Sequence, residues 1–598
     1  MNTSVQSVQL EERENAMNSS PPTQRTTPLP DITPVLVVGA GPVGLTLALE
    51  LDFHGVECVL VERNTTTTQH PKMDITNCRS MELYRRLGVA DDLRKVAIPA
   101  DTRIKVTWAT NAVGWELASF EYPSVAESYE QIHLRNDGSQ PLEPSMRVSQ
   151  VILEPTLRDL LETRAEHAQV HYGWALESFT EDDDGVSAVL IHGETGERHT
   201  VRSQYLIGCD GAGSRTRQQL DIGLDEIDLR KMLIKELGLP KVAKAVAQAF
   251  LARGERPADG RFYLVHFTTT DTEVLTRFGT VWHLQSPEGW TIISQNDSNT
   301  FTLHAPLGMG LDADRIDPRE FVYERAGRKF DMEVLVANAW TPRLTVADSF
   351  GRGRVWLAGD AVHQVTPTGG YGMNTGVGDA VGLGWALAAQ LQGWGAPGLL
   401  TAYEHERRAV ARRNRSAAAR HSVVRAAVMS TFRPSMYSER WLGERTRQQI
   451  GREISDLGNL ENEAWGIELG YRYDYSPAIC GEAEGQAPPL RMDVYTPSTW
   501  PGSRPPSIRL DDGRAIFDLF GRGFTLLRFA DRDVDGFTEA AAQRGVPFEV
   551  VDIRDDRARA LYERDLVLVR PDQHVAWRGN TAPTAPLLII DRVRGARN

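Results

Sequence analysis

The feature that most limits what this chain can become is a glycine triplet set between two short apolar runs. Pro34-Val35-Leu36-Val37-Val38 is followed by Gly39-x-Gly41-x-x-Gly44, by the apolar stretch Val43 to Leu51, and by a second run from Val56 to Val61. Short β-branched runs read as buried strands and the longer stretch between them as a helix. Such a β-α-β unit with short connections requires a parallel sheet and a crossover helix. The first glycine permits the tight turn, the second lets backbone approach a pyrophosphate, and the third lets helix and strand pack, while the helix start offers free N–H groups. Glu62 ends the second run 18 residues after Gly44, near where an acid meets a ribose hydroxyl. With both strands, the helix and the acid present, nucleotide binding is favoured over a purely structural turn. The acid suits the adenosine ribose of FAD or NAD and disfavours a 2′-phosphate.

Composition limits the partners. Lys and Arg number 66 against 80 Asp and Glu in 598 residues, a net charge of −14, with no dense basic run, so neither nucleic acid nor a membrane surface is expected. Cys58, Cys78, Cys209 and Cys480 lie far apart without a C-x-x-C pair, which suits a reducing cytoplasm and calls for no metal. The chain start is acidic where a signal peptide would be basic, and no apolar stretch reaches the roughly 18 residues that span a bilayer. A cytoplasmic protein is expected.

Residues 1–30, rich in Ser, Thr, Pro, Gln and Asn, cannot bury enough surface to offset ordering and read as a disordered tail. Between about 100 and 350, segments such as Arg103–Trp108 and Trp290–Ser294 alternate as in a half-exposed mixed sheet. Residues from Glu404 to about Arg452 look helical, and Pro and Gly concentrate in 481–507. Beyond them Phe524–Phe529, Phe548–Val551, Leu566–Val569 and Leu587–Ile590 read as strands around a helix at Phe537–Arg544. The expected division is a discontinuous nucleotide-binding domain (31–110, 145–225 and 350–400), a sheet domain (111–144 and 226–349), a helical region (401–480), a linker (481–507) and a C-terminal α/β unit (508–598).

Two further segments carry chemistry. Arg354–Leu357 reads as a strand that runs through Ala358 to Gly359-Asp360-Ala361-Val362-His363, then Pro367-Thr368-Gly369-Gly370-Tyr371-Gly372-Met373-Asn374 and an apolar helix from Val377 to Leu391. Asp360 can accept hydrogen bonds from ligand hydroxyls, and the helix start can set N–H groups against a developing anion. Cys209-Asp210-Gly211-Ala212-Gly213-Ser214-Arg215-Thr216-Arg217 forms a D-G-x-x-S-x-x-R pattern.

With the N-terminal triplet, these motifs resemble the single-component FAD-dependent aromatic hydroxylases, the para-hydroxybenzoate and phenol hydroxylases among them, in the family's order and over about residues 34 to 590. The resemblance implies a Rossmann-like FAD domain interleaved with a mixed-sheet substrate domain, and a thioredoxin-like C-terminal domain. By it Gly39, Gly41, Gly44, Glu62 and the neighbouring Arg63 hold the ADP part of FAD, and Lys72 stands for the usual basic residue after the second strand. Gln150 matches a polar FAD contact before the helix Leu153 to Arg164. Gly359 and Asp360 meet the ribityl chain, and Gly372, Met373 and Asn374 lie at the flavin N1/O2 edge. Asp210 and Arg217 serve FAD and NAD(P)H.

The implied reaction is NAD(P)H-driven hydroxylation of a phenolic ring by O₂ through a flavin C4a-hydroperoxide, with the flavin supplying the oxygen chemistry. NADH and NADPH both stay open, as does a homodimer. Thr366-Pro367 replaces the two prolines of many members, which puts one contact to the substrate hydroxyl in question. Asp74, in Lys72-Met73-Asp74-Ile75-Thr76-Asn77-Cys78, resembles the group beside the phenol hydroxyl in phenol hydroxylases, where it would help remove the proton. A helix N-cap is an equal reading of the same residue. Tyr263, His266, Trp282, His283, Trp290 and Tyr371 are candidates for the substrate wall, although packing explains each of them too. Without C-x-x-C the C-terminal unit cannot exchange disulfides, so a structural or subunit-contact role is expected. The same flavin machinery applied to a polyketide or other polycycle, by hydroxylation or Baeyer–Villiger insertion, is the alternative reading, and a flavin-based redox sensor is the non-enzymatic one.

Overall fold

The computed structural model describes residues 28–71, 73–252, 258–482 and 485–596. Most of the expected tail and Lys72 lie outside the described residues. The first part of the chain contributes β1 (Ile32–Val38), α1 (Pro42–Phe53), β2 (Cys58–Glu62), α2 (Cys78–Arg86), β3 (Ile104–Ala109), β4 (Glu116–Tyr122), α3 (Gln150–Arg164), β5 (Ala168–Tyr172), β6 (Trp174–Asp182), β7 (Gly185–His192) and β8 (Arg198–Gly208). Next come β9 (Ala258–Thr268), β10 (His283–Gln285), β11 (Thr291–Ser294), β12 (Thr300–Gly308), β13 (Glu333–Trp340), β14 (Val355–Leu357), α4 (Tyr371–Leu391) and α5 (Gly398–Met429). The C-terminal part adds β15 (Phe524–Arg528), α6 (Asp535–Gln543), β16 (Phe548–Asp552), β17 (Leu566–Val569), β18 (Val575–Gly579) and α7 (Pro586–Val593).

Strands β14, β8, β1, β2 and β5 pair in parallel in that spatial order, and the β6–β7 hairpin extends β8. Val35, Leu36 and Val37 are fully buried, as a continuous apolar run predicts for a strand covered on both faces. Helices α1 and α4 cross closely because the crossing is built from small residues. A Cβ placed on Gly376 would lie 2.4 Å from Val43 Cγ2.

A second sheet has the order β13-β9-β12-β11-β10-β3-β4. Its period of two separates two faces. Tyr263, Val265, Phe267, Leu284, Ile292 and Leu303 pack into one core with Phe321 and Phe330. The registers put Leu264, His266, Thr302, His304, Ile293 and His283 on the opposite face. Because β3 pairs with β10, residues 104–109 belong to this sheet and not with 31–110, a correction to the expected boundary. Their alternating pattern already suited a sheet with one solvated face.

The C-terminal sheet is ordered β16-β15-β17-β18, with β15 and β16 parallel and the rest antiparallel. Leu587–Ile590, expected as a strand, lies in α7, and the strand is Val575–Gly579 instead. Pro586 at the first helical position fixes φ for a helix, and burial of Ile590 and Val593 three residues apart follows helical spacing. Within the stretch read as a linker, Arg504 is buried and its Nε donates to Glu82 Oε2 of α2 at 2.8 Å. No helix among the described residues is long and apolar enough to cross a membrane.

Candidate active site

The glycine turn between β1 and α1 has the shape its sequence requires. Gly39 sits at φ +104°, and a Cβ there would lie 2.4 Å from the Cys209 carbonyl oxygen, while one on Gly44 would lie 1.9 Å from the Gly39 oxygen. A Cβ on Gly41 would meet no atom within 4 Å, so open space faces the start of α1, which no side chain caps. That is a cradle for an anionic group at a helix N-terminus. Glu62 Oε2 accepts the Ala40 N–H at 2.9 Å, and Oε1 accepts the Asn64 backbone N–H at 3.0 Å. Arg63 is exposed beside it. Gln150 opens α3; its N–H donates to Met73 O and its Nε2 to Glu154 Oε2.

The second glycine-rich loop follows β14. Gly359 donates its N–H to Asp379 Oδ2 at 3.1 Å, and Asp379 also meets His363 Nε2 at 2.6 Å and Arg407 Nε at 2.8 Å. Burial pushes the Asp379 carboxyl up, but His363 and Arg407 outweigh it and hold it below the usual carboxylate range. Neither Asp379 nor Arg407 was read from the sequence. The G-D-A-x-H run named His363, yet only the fold shows what that histidine is for. Asp360 is exposed at the turn. Gly370, left-handed at φ +64°, precedes the first turn of α4, where Tyr371, Gly372, Met373 and Asn374 lie and no side chain caps the N–H groups.

Asp210 shapes the third motif. It accepts the Ser214 hydroxyl at 2.5 Å and the Thr216 N–H and hydroxyl at 3.0 Å each, while Arg217 Nη1 donates to the Ala361 carbonyl at 2.8 Å. The D-G and G-D segments are thereby tied together.

Asp74 faces the second sheet. It accepts a hydrogen bond from Trp282 Nε1, and Arg147, paired with Asp297 at 2.7 Å, lies 5.5 Å from the centre of the Trp282 ring. Burial raises the Asp74 pKa, and the pull of Arg147 and Trp282 in the other direction does not cancel it. The N-cap of α2 is Asn77, whose Oδ1 accepts the Ser80 N–H at 2.9 Å, so the capping reading of Asp74 is corrected. Arg147 and Asp297 carried no pattern in the sequence: the short pairing of Met146–Arg147 with Ile75–Thr76 places Arg147, and the Asp297 N–H donates to Ser294 Oγ at 3.0 Å in the turn after β11.

His266 Nδ1 lies 3.0 Å from Thr302 Oγ1 and 3.2 Å from the Phe301 carbonyl, and burial lowers its pKa. His283 is driven well below the ordinary imidazole value by burial and by Arg425, so the surroundings of both rings favour the uncharged form. Tyr371 is buried with its hydroxyl 2.8 Å from His421 Nε2 of α5. Pro367 is exposed, and its carbonyl accepts the Gly370 N–H at 3.0 Å. Tyr263 and Trp290 belong to the helix-covered face, Tyr263 edge-on to Phe321.

Residues 32–418 match the FAD binding domain family and residues 498–592 the aromatic-ring hydroxylase C-terminal family. The chain is 35% identical to the FAD-dependent monooxygenase apdD of Emericella nidulans, over 96% of this chain and 92% of that protein. It is 30% identical to the tetracenomycin B2 monooxygenase-dioxygenase of Streptomyces olivaceus, over 94% and 97%. Among solved structures, the rebeccamycin biosynthetic enzyme RebC with reduced flavin superposes with a TM-score of 0.80 at 33% identity, covering 95% of this chain and all of that one. The open glycine turn at the start of α1, the acid Glu62 beside it and an uncapped helix at a second glycine loop fit FAD, and with these matches the chain belongs to the FAD-dependent aromatic-ring monooxygenases.

Proposed function

We propose that the protein uses NAD(P)H and O₂ to hydroxylate a phenolic ring, with Asp74 taking the phenol's proton. The observation that carries this reading is the half-buried Asp74 carboxylate, fixed by Trp282 and joined through Ile75 and Asn77 to Asn374 at the start of α4. When bound, FAD supplies the electron transfer and oxygen activation. Gly39, Gly41, Gly44 and Glu62 would hold its ADP part, Gly359 and Asp360 its ribityl chain, and the first turn of α4 would offer its N–H groups to the ring. Asp74, its pKa raised by burial, matches a phenol better than an exposed carboxylate would, which favours proton transfer. The neutral His266 and His283 can hydrogen-bond a ring oxygen without a charge. The test is turnover with isotopically labelled O₂: phenols should speed NAD(P)H oxidation and take up one labelled oxygen atom. Unlabelled products, or oxidation indifferent to every phenol, would reject it.

One observation favours a polycyclic phenol over a single ring. On the sheet face that carries His266, the atoms Gln285 Oε1, His283 Nε2, His304 Nδ1, Asn338 Oδ1 and Trp340 Nε1 are buried without hydrogen-bond partners among the described residues. They run from β10 to β13, four strand steps or about 19 Å, far longer than one ring. Buried polar atoms need partners, and an oxygenated polycycle would supply several. Hydroxylated naphthoquinones and anthraquinones should show KM values at least about tenfold below those of simple phenols, the worth of one or two such bonds. Equal KM values would leave the single ring as the substrate.

A further inference from the structure

The C-terminal sheet has no dithiol, yet the turn between β17 and β18 is buried against the FAD-binding part of the chain. Arg570, Asp572 and Gln573 are each at most 3% exposed, and Gln573 sits at φ +61°, a left-handed conformation that few residues other than glycine adopt. Two arms leave this turn.

The first arm runs to α2. Arg79 Nη2 donates to the Asp572 carbonyl at 2.9 Å and Nη1 to Gln573 Oε1 at 3.0 Å, while Nη1 also meets Glu82 Oε2 at 3.1 Å. Glu82 is clamped in turn by Arg504. Arg79 lies in the first turn of α2, two residues after Asn77, whose N–H is bound by Asn374 Oδ1, and five after Asp74. The second arm runs to α5. Arg570 grips Glu406 with both terminal nitrogens, at 2.6 and 2.8 Å. The next residue, Arg407, holds Asp379, which holds the Gly359 N–H and His363.

We propose that the Arg570–Gln573 turn is a positioning device that sets both walls of the flavin crevice, the Asp74–Asn374 wall through Arg79 and the Gly359–His363 wall through Glu406 and Arg407. This rests on the assignment of those walls to the flavin. Buried ion networks add little net stability over apolar packing of the same volume, but their fixed geometry holds elements in one register. Arginine suits the task because its planar fork binds two acceptors at once. The C-terminal domain then acts on the reaction without touching substrate.

The test compares FAD-loaded full-length variants. Gln573→Asn keeps a residue that tolerates the left-handed conformation but shortens the side chain so that it no longer reaches Arg79. Val567→Ala is the control, because Val567 is an apolar core residue of β17, packed with Ile508, Ile516 and Tyr562 and outside both arms, and its truncation costs stability. In Gln573→Asn, deuterium uptake by residues 73–81 should rise about tenfold in rate, as expected for loss of one charge-assisted hydrogen bond. The visible band of the bound flavin should shift, and the share of NAD(P)H electrons released as H₂O₂ should grow, with a melting point no lower than that of Val567→Ala. Glu406→Gln should perturb the flavin band through the other arm. If Gln573→Asn changes neither uptake nor flavin band, or if Val567→Ala changes them equally, the proposal is wrong. Uptake and flavin band need no substrate, so a parent protein inactive on every phenol would reject the proposed function and leave this test standing.

Discussion

Asn374 and Asn77 are 297 positions apart in sequence and bonded in the fold: Asn374 Oδ1 accepts the Asn77 N–H at 2.9 Å, while its Nδ2 donates to Ile75 O at 3.1 Å and to Gly370 O at 2.7 Å. One side chain therefore fixes the glycine loop before α4 to the segment that carries Asp74. Asn374→Ala removes three hydrogen bonds and leaves the part-buried Asn77 N–H without its acceptor, a loss of about 2–4 kcal/mol. The expected outcome is a lower melting temperature and a weaker FAD complex, read by calorimetry with and without FAD. Unchanged values in both would show that the link is incidental.

Asp74→Asn separates base from scaffold. Asparagine still offers an oxygen to Trp282, and Asn77 remains the cap of α2, so stability should hold. Oxygen transfer should slow by about 10²–10⁴-fold, the usual size of a general-base effect, and H₂O₂ release should rise. Because burial raises the Asp74 pKa, product formation in the parent should climb with pH through a value above the ordinary carboxylate range, as the carboxylate ionises. The Asn variant should lack that limb. Coupled hydroxylation at the parental rate would remove Asp74 from the chemistry.

Glu62→Ala frees the Ala40 N–H and takes away the acid next to the glycine turn. FAD affinity should fall by about 10- to 100-fold, equivalent to about 1–3 kcal/mol, while kcat at saturating FAD should stay near the parent value, as the proposed placement of Glu62 at the ADP part and not at the ring requires. Fluorescence titration of the apoprotein measures the first quantity and steady-state turnover the second. A drop in kcat with intact affinity would contradict the placement.

What was legible in the sequence was local chemistry. Gly39, Gly41 and Gly44 could be read because each meets a steric demand within a few residues, and Val35 to Val37 because a strand buried on both faces must be apolar throughout. Arg147, Asp297, Asp379 and Arg407 were not legible, since what recommends them is a partner far along the chain and a charged residue alone looks like surface. Leu587–Ile590 was misread for a different reason. A short apolar run fits a buried strand and a buried helix equally, and only Pro586 in front of it favoured the helix. Arg504, within a Pro- and Gly-rich stretch that reads as a linker, became a buried clamp on Glu82 because its partner lies on α2.

Glu468 gives the last prediction. Its Oε2 is buried without a partner among the described residues, beside a small cavity that Asn77, Arg79, Asn374 and Asn414 also line. Burial pushes its pKa up to about 7, against a weaker opposing pull from the Cys78 N–H and thiol. A carboxyl whose folded pKa is raised binds its proton more tightly in the native state than in the unfolded chain. Its contribution is whole below the unfolded value near 4.5 and is lost as pH rises toward 7. The loss amounts to about 3.5 kcal/mol at most, since each pKa unit is worth about 1.4 kcal/mol. The melting temperature should therefore fall between pH 5 and pH 7 in the parent, within the window set by that shift. Glu468→Gln is isosteric, remains neutral throughout, and can accept from Cys78, so it should flatten this slope and stabilise the protein most at the alkaline end. A parallel pH profile in the Gln variant would mean that Glu468 is already ionised in the native protein, and that a cation or solvent reaches its second oxygen.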